Sequence, residues 1–592
     1  MPSIPRERAP SRTHDAPRPV SVSAGGSSDG SPEPLRPRPL LRDPWALACV
    51  AAVLVLVARA WGAPLGEPVA EDFDFLQRAL FGPFTLLDGG GSTAFWRPIP
   101  HQLYYLACAR LMLGAPAVLA GLHVGVLALA TLLLYRAFAT ARPGLRAAIV
   151  ATAPLFSEST RMMIAWPSDF VDLGVWLFVA LAAHETARRR MPSALVALGA
   201  ALLCKEVAVI AAVLLPLLPG IGPRDDRARL RWLAAFVALV AVWGIAYLAV
   251  RQHAHLSLPH HLEQTLATAT WWDRLGWALA NSLRAAVSLP PAEAAYDRAV
   301  GSLLALLLFV GAAIALRSGT QRSRWRAARP WVLWGVAWFL ASSAALIVVY
   351  PYWSPVRAAF GALGLVVVAA EIAWMIHPAL LVGLVVVRLV AFAFAPAPPT
   401  RIAWVAPATG AFVDFERLTR LQHLMRSTRL ALMARVPRAT PGMRIGTTSP
   451  PQSAEYAFGG SHAIRAWYRD PTLEWVPFER VRAHPDSGLA AIVEFEPDGP
   501  RPVAIVETQA MRAYLSALER ARAGDPRVAR ELLDRAAALQ LDDAALVFRK
   551  RVARERRSLV RLSSPAEPAR FMNRPAVINR RDVAPARART AP

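Results

Sequence analysis

The chain has 592 residues, 18% of them charged and 55% hydrophobic, and its mean hydropathy is above zero. A water-soluble protein of this length carries about a quarter charged residues, so the composition excludes an ordinary soluble enzyme. The formal charge of +24 does not point to nucleic acid, because every basic residue except Lys205 and Lys550 is arginine and the arginines gather in short loops and tails, where they set membrane topology.

Residues 1–43 are rich in Pro, Ser, Gly and Arg with no aliphatic clusters, the composition of a disordered tail. Apolar runs follow at about 45–61, 115–136, 146–164, 170–187, 193–203, 206–219, 231–250, 299–316, 331–350, 355–376 and 380–396. Most have the length that crosses a bilayer's hydrocarbon core as a helix. The runs 193–203 and 206–219 are too short to cross alone and meet at Lys205-Glu206, a charged turn tolerated only where it faces water or protein. Counting both, the arginines before the first run, at 136–146, at 188–190, at 224–229 and at 317–329 all fall on one side. The N-terminus is then cytoplasmic and the region from 397 lies outside. Cys49, Cys108 and Cys204 sit in or beside apolar runs, which argues against a disulfide framework.

After the membrane core, 44–396, residues 397–507 read as a small α+β domain, with a helix over 409–437 and strands over 490–496 and 503–506. Residues 508–558 return to helix: Ala510–Ala523 and Arg527–Leu539, about Gly524-Asp525-Pro526, are spaced like one tetratricopeptide unit. Residues 559–592 have the composition of a second disordered tail.

Ionisable residues near apolar runs mark where chemistry is to be sought. The first outward loop holds Glu71-Asp72-Phe73-Asp74, then Trp96-Arg97-Pro98. Crowded carboxylates raise one another's pKa and suit a general base. They also suit a divalent cation, with Asp72 and Asp74 as candidate ligands, or else form a solvated loop that only sets topology. Asp169, in Trp166-Pro167-Ser168-Asp169, reaches the same side between two spans, as a converging carboxylate or as a helix cap. Lys205 is either a cation aimed at an anionic group or half of a self-solvating turn with Glu206; Arg357 is either a phosphate ligand or an interfacial anchor beside Tyr350, Tyr352 and Trp353. His253, His255, His260, His261 and Glu263 match no familiar zinc spacing, and Trp271, Trp272 and Trp277 suggest a helix lying in the interface.

The ordered set Glu71-Asp72, Trp96-Arg97-Pro98, Trp166 with Asp169, and Lys205-Glu206 with Pro216 resembles the GT-C class of membrane glycosyltransferases, in particular the branch of the protein O-mannosyltransferases, some of whose relatives carry tetratricopeptide repeats. The likeness covers roughly residues 45–376. It implies a polytopic α-helical fold of about eleven transmembrane or half-length helices with a small extracytoplasmic α+β domain. It implies an inverting transfer of sugar from a polyprenyl-phosphate donor to a protein, lipid or glycan acceptor on the outer face of a bacterial inner membrane. Asp72 is then the expected base with Glu71 second and Asp169 nearby, and Lys205, Arg97 and Arg357 are expected to hold the donor phosphate. The rival classes are a transporter or flippase of a lipid-linked substrate and a non-catalytic membrane assembly protein.

Overall fold

A computed structural model of the chain describes residues 42–142, 144–287, 306, 309–311, 313, 317, 319–393, 398, 413–448, 454–477, 488–496, 502–543 and 545–562. The membrane core runs through α1 (Pro44–Ala60), α2 (Asp72–Phe81), α3 (Tyr104–Gly114), α4 (Pro116–Ala139), α5 (Leu145–Thr152), α6 (Glu158–Ala165), α7 (Phe170–Ala187), α8 (Met191–Cys204), α9 (Ala208–Leu214), α10 (Asp226–His253), α11 (His260–Thr268), α12 (Trp271–Val287), α13 (Gly319–Ala344), α14 (Ala359–Ile376) and α15 (Pro378–Ala393). Among the described residues five stretches are long and apolar enough to cross a membrane: Pro116–Ala139, Pro167–Ala187, Asp226–His253, Arg322–Val349 and Pro355–Ile376. Four shorter apolar helices accompany them, Pro44–Ala60, Leu145–Phe156, Met191–Cys204 and Pro378–Val390.

The expectation of eleven passes is therefore coarser than it looked. The run 206–219 contributes only the seven-residue α9, and 299–316 falls almost wholly outside the described residues, as do residues 1–41 of the expected tail 1–43 and residues 563–592 of the expected tail 559–592. Residues 559–562 belong to the last helix rather than to a tail. The run 146–164 is not one span. Pro154 brings no backbone N–H, the helix tightens into a 3-10 turn over Ala153–Phe156, and Ser157 turns extended at φ −112°, ψ 158°. The Ser157 and Thr160 hydroxyls both donate to the freed Pro154 carbonyl, each over 2.8 Å, and α6 starts afresh in a new direction.

Close backbone contact holds α13 to α14. A Cβ on Gly364 would stand 2.3 Å from the Gly335 carbonyl oxygen, and one on Gly335 would stand 2.6 Å from that of Gly364. Small residues let two apolar helices approach in this way where lipid supplies no hydrophobic drive. Beside that crossing the buried Trp338 indole donates to Phe360 O over 2.7 Å. Farther along α14, Glu371 accepts from Arg142 at 3.0 Å and lies 3.6 Å from Arg146, tying α14 to the turn before α5. The amphipathic α12 packs Trp277 against Tyr350 and Trp353, leaving Trp271 and Trp272 exposed.

The C-terminal region comprises α16 (Phe415–Arg435), β1 (Arg444–Thr448), α17 (Ala454–Phe458), α18 (His462–Tyr468), β2 (Glu474–Val476), β3 (Leu489–Phe495), β4 (Val503–Val506), α19 (Thr508–Arg522), α20 (Pro526–Leu539) and α21 (Leu546–Leu562). Its sheet has the order β2-β1-β3-β4, with β1 parallel to both neighbours and β4 antiparallel to β3. Period-two alternation sends β3 and β4 to two different cores. Ile492, Ala504 and Val506 face the α19–α20 hairpin and α21. Ala491, Val493, Phe495, Val503 and Ile505 join α16 and, through it, the loop between α1 and α2.

Gly364→Leu should lower the stability of the detergent-purified protein by at least ~1–3 kcal/mol, because its side chain meets rigid backbone rather than a flexible neighbour. Gly383→Leu, where an added Cβ meets nothing within 4 Å, should leave the melting temperature unchanged. Thermal unfolding of the two variants side by side checks the crossing.

Candidate active site

The loop from Trp61 to Glu71 is folded back on the bundle by its backbone. Gly66 sits at φ +78°, where a Cβ would overlap the Pro116 carbonyl, and its N–H donates to Ala165 O over 2.8 Å. Asp72 then opens α2 with its side chain turned back. Its Oδ2 accepts from the Val69 N–H at 2.7 Å and from the Trp166 indole at 3.0 Å, while Oδ1 accepts from the Tyr105 hydroxyl. The side chain is wholly buried, and burial pushes its carboxyl up to about 8 against the pull of these donors.

A second polar chain runs beside it. His123 faces the Met163 carbonyl through Nδ1 at 3.0 Å; a carbonyl can only accept, so Nδ1 carries the proton and Nε2 takes the Tyr104 hydroxyl at 2.6 Å. Tyr104 also stacks on Phe170 at 4.1 Å between centroids. Thus α3, α4, α6 and α7 are fixed to one another beneath α2.

The expected site residues converge above this floor, with one exception. Glu71 is exposed, and its Oε1 accepts from the Ser168 hydroxyl at 2.9 Å. Asp169, on the 3-10 turn that opens α7, is buried, and its Oδ2 has no hydrogen-bond partner among the described residues. Lys205 leaves α8 in an extended conformation and places Nζ 2.7 Å from both oxygens of Asp172. Arg97 holds Glu206 in a fork, with Nη2 at 2.8 Å and Nε at 3.1 Å, and its Nη1 makes no hydrogen bond among the described residues. Arg357 donates to Tyr352 O at 2.8 Å and lies within electrostatic reach of Glu71, Asp172, Asp169 and Arg97. Asp74 is the exception: it points to the C-terminal region and pairs with His462 at 2.7 Å.

Asp72 lies under the site, both its oxygens engaged by N–H and O–H donors, while Glu71 is the carboxylate at the opening. For a cation, Asp72 and Asp74 do not offer a joint ligand set, since one faces three donors and the other faces His462. Among the described residues no group of three or more His, Cys, Asp or Glu side chains is arranged around a metal position, and His260 of the histidine cluster meets Gln264 at 2.9 Å.

The C-terminal region closes one side of the site. Arg429 of α16 meets the buried Glu67 at 2.9 Å and donates to Leu113 O at 2.5 Å. Burial pushes the Glu67 carboxyl up to about 7, with Arg429 opposing. Gln422 spans Glu67 O and Ala165 O at 2.9 and 2.7 Å, and the Ala70 N–H donates to Ala457 O at 2.8 Å. That last bond seats α17 on the residue before Glu71, and Tyr456 lies within electrostatic reach of Glu71, Asp72 and Arg357. Nothing in the sequence signalled Tyr456, Gln422 or Arg429 as neighbours of the first loop, and Tyr105 was hidden in an amphipathic stretch.

Comparison of the chain with protein-family models, with curated proteins and with solved structures finds no match. The functional reading therefore rests on the geometry above.

Two outcomes are expected. Removing either member of the Glu67–Arg429 pair, by Glu67→Ala or Arg429→Ala, should cost ~3–5 kcal/mol, with the double variant losing less than the sum, measured by thermal unfolding as a double-mutant cycle. Asp72 titrates higher in the folded chain than the ordinary carboxyl, so the stability it contributes is complete below the unfolded carboxylate range and is lost as pH rises through about 8. Asp72→Asn strands a buried donor and should cost ~1–3 kcal/mol near neutral pH. The gap between wild type and variant should narrow as the melting temperature is followed up to about pH 9.

Proposed function

We propose that this membrane protein transfers a sugar from a polyprenyl-phosphate donor to an acceptor hydroxyl at the outer face of a bacterial inner membrane, by a single inverting displacement. The observation that carries the reading is the convergence, from five separated stretches of chain, of an accessible carboxylate, a buried carboxylate oxygen unpartnered among the described residues, and three cations. In this reading Glu71, not Asp72, is the base. It takes the acceptor's proton as the acceptor oxygen attacks C1, and the C1–O bond to phosphate breaks with the electron pair leaving on the phosphate.

Asp72 positions Glu71 by locking the first turn of α2. The free oxygen of Asp169 accepts a sugar hydroxyl. Arg357, the open Nη1 of Arg97 and Lys205 stabilise the departing polyprenyl phosphate, the first two as planar donors suited to paired phosphate oxygens. Asp172 and Glu206 hold Lys205 and Arg97 at fixed positions, so less reorganisation accompanies charge build-up on the leaving group.

The break between α8 and α9 at Lys205 is also what a transporter of a lipid-linked substrate would use, and one experiment separates the two. Purified wild type, Glu71→Gln and Asp72→Asn are incubated with a panel of radiolabelled polyprenyl-phosphate sugars and membrane acceptors. Glu71→Gln should lose ~10²–10⁴-fold in transfer rate with an unchanged melting temperature, while Asp72→Asn loses activity and stability together. Full activity in Glu71→Gln would remove the base assignment. Absence of transfer by wild type from every donor would sink the enzyme reading in favour of transport.

A further inference from the structure

The segment that follows α2 displays a contiguous apolar surface that no protein element covers among the described residues. Phe84 is 61% exposed, Leu86 38% and Leu87 58%; on the turn into α3 and on α3 itself Leu103 is 42% exposed and Leu106 50%. Phe84 and Leu106 border the same shallow cavity of about 60 Å³, with Pro83, Thr85, His101 and Gln102, so loop and helix form one surface. The opposite face of α3, with Tyr105, Cys108 and Met112, is buried in the core under the site.

This surface is built, not frayed. Arg78 closes the base of the loop on Asp88 at 2.5 Å, and Gln102 holds Asp88 O at 2.6 Å. The Trp96 indole donates to Leu86 O at 2.7 Å, and Leu87 N donates to Thr85 Oγ1 at 3.1 Å. The loop's acid is thereby neutralised and its polar atoms are engaged on its inner side, while the apolar side chains are presented outward.

We infer that residues 82–87 and the open face of α3 form a ledge seated in the bilayer, with Phe84, Leu87, Leu103 and Leu106 among the acyl chains of the leaflet at the site's end of the bundle. Lipid is the occupant because the surface leads directly into a candidate span: only Ala115 separates α3 from α4, which is long and apolar enough to cross a membrane and whose Val118 and Leu122 are 59% and 45% exposed. The flanking residues are those of an interface. Arg110 follows Leu103 and Leu106 at helical spacing on the exposed face, where its guanidinium reaches headgroup phosphates, and Trp61 at the end of α1 is 79% exposed. Since α2 is ten residues long, about 15 Å, the ledge begins within one short helix of Glu71. This placement does not depend on the proposed reaction.

The three native cysteines are buried, so an introduced one is labelled selectively. Phe84→Cys, Leu87→Cys and Leu106→Cys, each carrying the fluorophore NBD, are reconstituted in phosphatidylcholine vesicles bearing nitroxides near the headgroup end or the tail end of the acyl chain. Leu541→Cys, 71% exposed in the C-terminal region, is the aqueous reference. The ledge positions should show blue-shifted emission, quenched several-fold more strongly than the reference, most by the nitroxide near the headgroups, because such surfaces sit about 5–10 Å into the headgroup and acyl boundary. The result should persist at one protein per vesicle. Water-like emission with quenching equal to that at position 541 would overturn the inference, and so would shielding that appears only as protein density rises, which would make a second copy the occupant.

Discussion

Everything at the candidate site hangs on one buried carboxylate. Asp72 gathers a backbone N–H from its own loop, an indole N–H from the turn after α6 and a phenol from α3, and so fixes three pieces of chain that share no secondary structure. A fully buried acid is expensive, and it is tolerated here because each oxygen faces a donor. Glu71, one residue earlier, is placed by the same anchored turn, and its carboxylate accepts from the Ser168 hydroxyl.

Around this anchor the structure separates charges that hold position from charges that stay available. Asp172 with Lys205, and Glu206 with Arg97, are close pairs at the ends of helices that would otherwise leave ions in an apolar setting. The oxygen of Asp169 and the outer edge of Arg97 are left over. Buried polar capacity of this kind calls for an explanation, and a bound group at Asp169 and Arg97 is the one proposed above.

Much of this was legible in the sequence, for a simple reason: ionisable residues at the edges of apolar runs stand out, so Glu71, Asp72, Arg97, Asp169, Lys205 and Arg357 could be picked one by one. Their roles were less legible. Nothing local distinguishes Glu71 from Asp72, because the difference is which of them the fold buries. The break at Ser157 sat inside a run read as one span, although Pro154 and the polar stretch Ser157-Glu158-Ser159-Thr160-Arg161 both mark it. β1 and β2 escaped because Arg444–Thr448 and Glu474–Val476 are short and lack alternation; they are strands only through parallel pairing with distant segments. The docking of α16 and α17 on the first loop was invisible, since it joins partners more than 350 residues apart.

That last feature bears on how the molecule comes to exist. The contacts from Glu67 to Gln422 and Arg429, and from Asp74 to His462, are separated by 355, 362 and 388 residues. At ribosomal speeds of roughly 5–20 residues per second, the first loop waits about 20–80 s after it is made before the segments that cover it emerge. During that interval Phe73, Leu76 and Glu67 have no finished surroundings, and the acidic loop is an open, half-built surface beside the membrane. The first loop is thus made early and covered late, which gives the growing protein a long window in which a chaperone or a protease can act on it.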